Sequence, residues 1–143
     1  MSAKVLNVCV SRTKGVQKTP VDEVTAKVEH GIDGDAHAGD WHRQVSLLAN
    51  ESAERMRDKG LPIGPGDFGE NVLTEGIALT ALPVGAVIRV GATVLEVTQI
   101  GKECHDRCPI YYKAGDCVMP REGIFARVIE GGVIEPGDPI EQV

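Results

Sequence analysis

Aromatic residues are scarce, only 3% of the 143 residues. The core must therefore be aliphatic, built from Val, Ile, Leu and Ala. No run approaches the roughly 18 apolar residues that a membrane-spanning helix needs, so no membrane association is expected. The stretch Met1 to Val10 lacks the long apolar segment of a secretion signal, so a reducing, cytoplasmic setting is expected. In that setting the four cysteines are expected to be free, catalytic or metal-binding rather than a disulfide framework. Positive charge is also in deficit: 15 Lys and Arg against 21 Asp and Glu give a net charge of -6. That balance argues against a non-specific binder of nucleic acid or anionic membrane, which needs a cationic surplus.

Glycine and proline, by contrast, are plentiful, at 17 and 8 residues. They punctuate short Val-rich runs, the pattern of a turn-rich β protein. Strands are expected over Val5 to Val10, Asp22 to Ile32, Gln44 to Ala49, and Asn71 to Thr74. A hairpin around Gly91 should join Ala86–Val90 to Thr93–Ile100. Gly123 to Glu130 and Asp138 to Val143 complete the set. One helix is expected from Asn50, an N-cap residue with Glu51 and Glu54 in its first turn, to a stop at Gly60. A short helical turn is expected over Cys108 to Lys113. The length suits one domain over residues 1–143. The expected fold is mainly β, a closed or nearly closed β-barrel of roughly six to eight strands with small helical insertions.

The most chemically loaded stretch is Gly101-Lys-Glu-Cys104-His105-Asp-Arg107-Cys108-Pro109-Ile110. Thiolate is the nucleophilic and metal-binding form of cysteine, and neighbouring cations favour it. Lys102, His105 and Arg107 all lie within a few residues of Cys104 and Cys108. Residues 101–127 hold five Lys and Arg against four Asp and Glu, while the tail from Val128 onward is acidic only. Pro109 suits the first position of a helix, with Cys108 at its cap. Cys104, Cys108 and Cys117 follow a C-x3-C-x8-C spacing, which lacks the paired short knuckles of a structural zinc site. Buried free cysteines often act as small hydrophobes, and that reading suits Cys9, inside an apolar strand.

Two loops add to this. Asp33-Gly-Asp35-Ala-His37-Ala-Gly-Asp-Trp41-His42-Arg43 gathers cations and the sole Trp among small residues, and glycine lets a ligand approach backbone closely. An ordinary surface loop of turn formers is the alternative. Gly64-Pro-Gly66-Asp-Phe-Gly-Glu70-Asn71 is glycine-rich, and such loops can cradle anions through backbone N–H groups. It lacks the Lys-Ser/Thr of a nucleotide P-loop.

Taken in order, these segments resemble the MOSC domain, the module named after the C-terminal part of molybdenum-cofactor sulfurases. The likeness runs through residues 14–21, Gly34 to Leu47, Gly66 to Leu73, Cys104 to Ile110 and Gly137 to Ile140. It implies a β-barrel related to the barrel domain of pyruvate kinase. It also implies a hallmark cysteine in an Arg-Cys setting, which carries sulfur as a persulfide or ligates molybdenum of the pterin cofactor. Arg107-Cys108 matches that setting, so the role passes to Cys108, with Cys104 as the rival thiol. The pyridoxal-phosphate enzyme fused to larger sulfurases is absent from these residues. A molybdopterin carries a phosphate and a dithiolene, and its pocket needs cations and hydrogen-bond donors. Arg12, Lys14, His37, His42, Arg43 and Arg107 would supply them, and the soft partners molybdenum and sulfane sulfur suit the Cys108 thiolate.

The favoured reading is thus a sulfur carrier or molybdenum-cofactor-binding protein, with a sulfur-transferase or other molybdenum-cofactor-linked activity as its enzymatic form. A cysteine-desulfurase-type sulfur donor or a molybdoenzyme acceptor would be its partner. Two other classes compete. One is a structural or sensor protein binding zinc through Cys104, His105, Cys108 and Cys117. The other is a catalytically silent barrel that binds a partner protein.

Overall fold

Buried and exposed residues alternate along Val24–Lys27, whereas Val45–Ala49 is buried throughout, and such patterns show which face of each strand turns inward. The computed structural model describes residues 3–12, 18–36, 38–39, 41, 44–58, 64, 66, 70–100 and 123–143. Of residues 52 and 55–57 it describes the backbone alone. Strands β1 (Ala3–Val10), β2 (Thr19–Val21), β3 (Val24–Lys27), β4 (Gly31–Ile32) and β5 (Val45–Ala49) precede helix α1 (Asn50–Arg57). Then come β6 (Val72–Glu75), a 3-10 turn over Leu79–Ala81, β7 (Val87–Val90) and β8 (Thr93–Ile100). Strands β9 (Ile124–Glu130), β10 (Gly132–Ile134) and β11 (Pro139–Gln142) close the chain.

Seven strands form a closed ring in the order β11, β7, β8, β9, β5, β6, β1, with β1 pairing back onto β11. Closure satisfies edges that an open sheet would expose. The expected barrel is therefore present. Val5, Val8, Leu47, Val72, Ile88, Leu95, Ile124 and Ile140 belong to its buried aliphatic cluster. Each such side chain contributes about 1.5–3 kcal/mol when removed from water. All five residues of β5 are buried, and α1 packs against β5 and β6. β5 and β6 are the one parallel pair of the ring. A parallel pair cannot be closed by a tight hairpin, and α1 lies on the long connection that joins them.

The helix begins at Asn50 as expected, though the Asn50 amide donates to Glu54 Oε1 at 3.2 Å. Glu51 instead accepts the N–H of Gly76 at 3.0 Å, tying the helix start to the end of β6. The expected stop at Gly60 and the helical turn over Cys108 to Lys113 lie outside the described residues.

One expected strand is corrected. Asp22 to Ile32 is not continuous: β3 and β4 form a hairpin, pairing Lys27 with Gly31. Its bend carries Glu29 at φ 59 and Gly31 at φ 110, and the His30 N–H returns to the Lys27 carbonyl at 3.2 Å. The alternation read across this stretch belongs to β3 alone. With β10, this hairpin makes a separate three-stranded sheet. β10, β2 and the 3-10 turn have no counterpart among the expected elements.

Strand directions sort the loops between two ends of the barrel. β1 runs antiparallel to β6 and β5 runs parallel to β6. Hence β1 finishes at the end where β5 and β6 begin. Among the described residues, Ser11, Lys18, Asp35, Gly66 and Glu70 are joined there by hydrogen bonds. β9 is antiparallel to β5, and β8 is antiparallel to β9. β8 therefore finishes, and β9 begins, at the opposite end, and residues 101–122 connect those two points.

Candidate functional site

The end where β1 finishes is held by buried polar groups. The Lys18 ammonium donates to Asp35 Oδ1 at 2.8 Å, with side chains only 1% and 0% exposed. The same oxygen accepts the Ser11 N–H at 3.0 Å. The Ala36 N–H donates to the Ser11 carbonyl at 2.6 Å, and the Lys18 N–H to the Gly66 carbonyl at 2.8 Å. A buried charge with no partner would cost several kcal/mol, so each member of this pair is held in place by the other.

A second knot adjoins it. Glu70 is buried, and its Oε2 accepts the Gly66 N–H at 2.9 Å. Gly66 has φ +84, and a Cβ there would overlap the Lys18 carbonyl, so only glycine fits. Asn71, fully buried, accepts the Ser46 N–H at 3.0 Å and the Ser46 hydroxyl at 3.2 Å. Its Nδ2 donates to the Cys9 carbonyl at 3.1 Å, joining β1, β5 and the start of β6 through one side chain. The glycine-rich loop is therefore stapled by its own acid: the Gly66 N–H is engaged by Glu70 rather than turned toward an anion.

Among the expected site residues, Arg12 lies two residues beyond β1 and is exposed at this end. Lys14, His37, His42 and Arg43 lie outside the described residues, as do Cys104, His105, Arg107, Cys108 and Cys117. The described neighbours nevertheless fix where their segments start. Ser11 and Lys18 bracket the segment with Arg12 and Lys14. Asp35, Ala36 and Ala38 flank His37, and Gln44 follows Arg43. Gln44 is itself anchored, since its buried Oε1 accepts the Val128 N–H at 2.9 Å. Trp41 is 38% exposed in the same loop. Cys9 is fully buried, as its strand position required. Among the described residues, no three His, Cys, Asp or Glu gather as a metal site would need.

Ile100 and Gly123, the described residues on either side of residues 101–122, stand at the other end of the barrel, where β8 finishes and β9 begins.

Sequence reasoning named the cations but not the residues that hold their loops. Lys18, Asp35, Glu70 and Asn71 all stand inside the segments that carry the MOSC likeness. Nothing in their spacing announced that Lys18 and Asp35 pair across the barrel end. On the outer wall, Arg127 pairs with Glu96 across β9 and β8. Its pKa is raised above the ordinary arginine value by the hydrogen bond to Glu96, then by that carboxylate's charge. The pair lies far from the buried knots in sequence and on a different strand pair.

Comparison with known proteins agrees with this architecture. The crystal structure of YuaD from Bacillus subtilis superposes with a TM-score of 0.79 at 22% identity, covering 98% of this chain and 94% of that one. YiiM from Geobacillus stearothermophilus gives 0.73 at 22% identity, covering 99% and 75%. YiiM from Escherichia coli gives 0.70 at 23% identity, covering 100% and 70%. At these identities the likeness shows the fold. No curated protein matches the chain. The family model of the MOSC domain matches residues 33–141. That match takes in the barrel from β5 onward together with the His/Arg loop and the Arg107-Cys108 pair, and the chain belongs to the MOSC domain family.

Proposed function

We propose that this protein is a sulfur carrier that binds a molybdenum-cofactor-type ligand. Cys108 is the sulfur-bearing or metal-ligating thiol. Arg12, Lys14, His37, His42, Arg43 and Arg107 bind the anionic part of the ligand. The observation that carries the reading is the family match over residues 33–141, which includes Arg107-Cys108 and most of these cations. The described residues agree in chemistry. Lys18 is committed to Asp35, whereas Arg12 is exposed at the end where β1 finishes. A phosphate-bearing group suits such a set of guanidinium, ammonium and imidazole donors. Molybdenum and sulfane sulfur are soft, which suits a thiolate.

In the carrier step, the Cys108 thiolate attacks the terminal sulfur of a donor persulfide. The donor's S–S bond breaks and the donor leaves as its thiolate. The transferred sulfur is now bonded to Cys108. Arg107, Lys102 and His105, close in sequence, favour the thiolate that begins the step.

The test is mass spectrometry of the protein after incubation with a cysteine desulfurase and L-cysteine. One added sulfur on the peptide containing Cys108, absent in Cys108→Ala, is the expected result. Sulfur on Cys104 alone would move the role to that residue, and no added sulfur on any thiol would refute the carrier reading. Molybdenum content after mixing with cofactor released from a molybdoenzyme tests the binding half in the same variants.

A further inference from the structure

We propose that Asp35 is the positioning residue of the anion site, acting as a clamp on the residues from which the Arg12/Lys14 segment and the His37–Arg43 loop start. The inference rests on the reading above that these cations bind one anionic group. Its own ground is a convergence at one atom. Asp35 Oδ1 accepts both the Ser11 N–H at 3.0 Å and the Lys18 ammonium at 2.8 Å. Ser11 and Lys18 are the two residues that bracket the segment carrying Arg12 and Lys14. Both ends of that segment are thus drawn to a single carboxylate.

The same residue begins the other loop. The Ala36 N–H bonds back to the Ser11 carbonyl at 2.6 Å, and the Ala38 N–H to the Asp35 carbonyl at 3.1 Å. Beyond them the Gly39 N–H is held by the His30 carbonyl at 2.6 Å. Lys18 is held further through its N–H to the Gly66 carbonyl at 2.8 Å, and Gly66 is fixed by Glu70. Fully buried ion pairs add little net stability compared with apolar residues of the same volume. A pair kept at the root of two cationic loops, with a backbone donor on the same oxygen, sets geometry instead. Binding donors misplaced by about an ångström lose much of their effect.

Apolar replacement of the pair separates positioning from stability. Lys18→Met/Asp35→Asn removes both charges but keeps an acceptor for the Ser11 N–H. Lys18→Met/Asp35→Leu removes the charges and the acceptor. Each is compared with the native chain in thermal unfolding and in calorimetric titration with inorganic phosphate, with Arg43→Ala as the control for the site. Both double variants should melt near the native temperature. The Asn variant should bind phosphate as the native chain does, and the Leu variant about tenfold or more weakly, the effect of one charged hydrogen bond misplaced. Ser11→Pro, which deletes the N–H donor and leaves both members of the ion pair, should also weaken binding if the Leu variant does not fold. Native-like phosphate affinity in the folded Leu variant, or in Ser11→Pro, overturns the positioning role while leaving the anion site intact. Phosphate binding that is absent from the native chain, or unchanged in Arg43→Ala, overturns the anion-site reading and the clamp with it.

Discussion

The barrel wall and the barrel end where β1 finishes each have a buried layer, yet the two layers are built from opposite materials. The wall is aliphatic: Leu47, Ile88, Leu95 and Ile124 are 0% exposed and need only shape to fit. The end is polar: Lys18, Asp35, Glu70 and Asn71 are at most 6% exposed. Each of these four has a named partner at hydrogen-bond distance. The difference follows from what each region must hold. Strands present a continuous apolar face, and burial alone secures them. Loops present backbone N–H and C=O groups, which must be paired wherever they are buried. Side chains with fixed hydrogen-bond geometry do that, at the cost of tolerating few substitutions.

Removing one partner of the ion pair should expose that contrast most sharply. Asp35→Ala leaves the Lys18 ammonium buried without its partner and should cost about 3–5 kcal/mol, read from urea unfolding. In the wall, Leu47→Ala should cost a similar or slightly smaller amount, about 2–5 kcal/mol from lost burial plus a cavity. The two differ in how they are rescued. Lys18→Met added to Asp35→Ala removes the stranded charge and should recover most of the loss. No second apolar truncation beside Leu47 should recover anything. If the double charge variant unfolds as easily as Asp35→Ala alone, the cost lies in shape rather than in charge, and the contrast between the regions fails.

Asn71 should come next. It receives the Ser46 N–H and hydroxyl and donates to the Cys9 carbonyl, so Asn71→Ala strands buried polar groups on two strands. The expected loss is about 2–3 kcal/mol, since leaving each such group unpaired costs roughly 1–3 kcal/mol. Asn71→Asp removes only the Nδ2 donor and brings a buried charge, and it should be no better tolerated. A loss under half of that for Asn71→Ala would mean that water replaces the knot, and that β1 and β5 are held by their ladder bonds alone.

The wall was more legible in the sequence than the end. Alternation in Thr93 to Ile100 and the turn at Gly91 are local signals, and both β7 and β8 stand where the pattern placed them. Asp22 to Ile32 misled because its alternation was read through a bend that Glu29 and Gly31 make. β10 is three residues long and pairs with β3 from far along the chain, which no local pattern announces. The polar end depends wholly on such distant pairing: Lys18 with Asp35, Ser46 with Asn71, Cys9 with Asn71. Composition could say that Lys18 and Asp35 exist but not that they meet. The MOSC likeness runs through those segments without assigning them roles. The buried state of Cys9 was readable, because an apolar strand surrounds it.

The smallest effect is expected where the wall departs from its own rule. Thr74 is fully buried in β6, between Val5 of β1 and Ala49 of β5. Its Oγ1 is a buried polar atom with no hydrogen-bond partner among the described residues. A hydroxyl in that position has given up water and gained nothing, whereas Lys18, Asp35, Glu70 and Asn71 at the barrel end are all re-paired. Thr74→Val keeps the β-branched shape, which suits a strand, and deletes only the hydroxyl. Stability should rise by about 1 kcal/mol, the lower part of the range for an unsatisfied buried group. For a domain of this size that is a few degrees in melting temperature. The phosphate titration should be unchanged, since β6 lies in the wall. A fall in stability would show that the hydroxyl is in fact hydrogen-bonded in solution, and the division between an apolar wall and a polar end would then be one of degree.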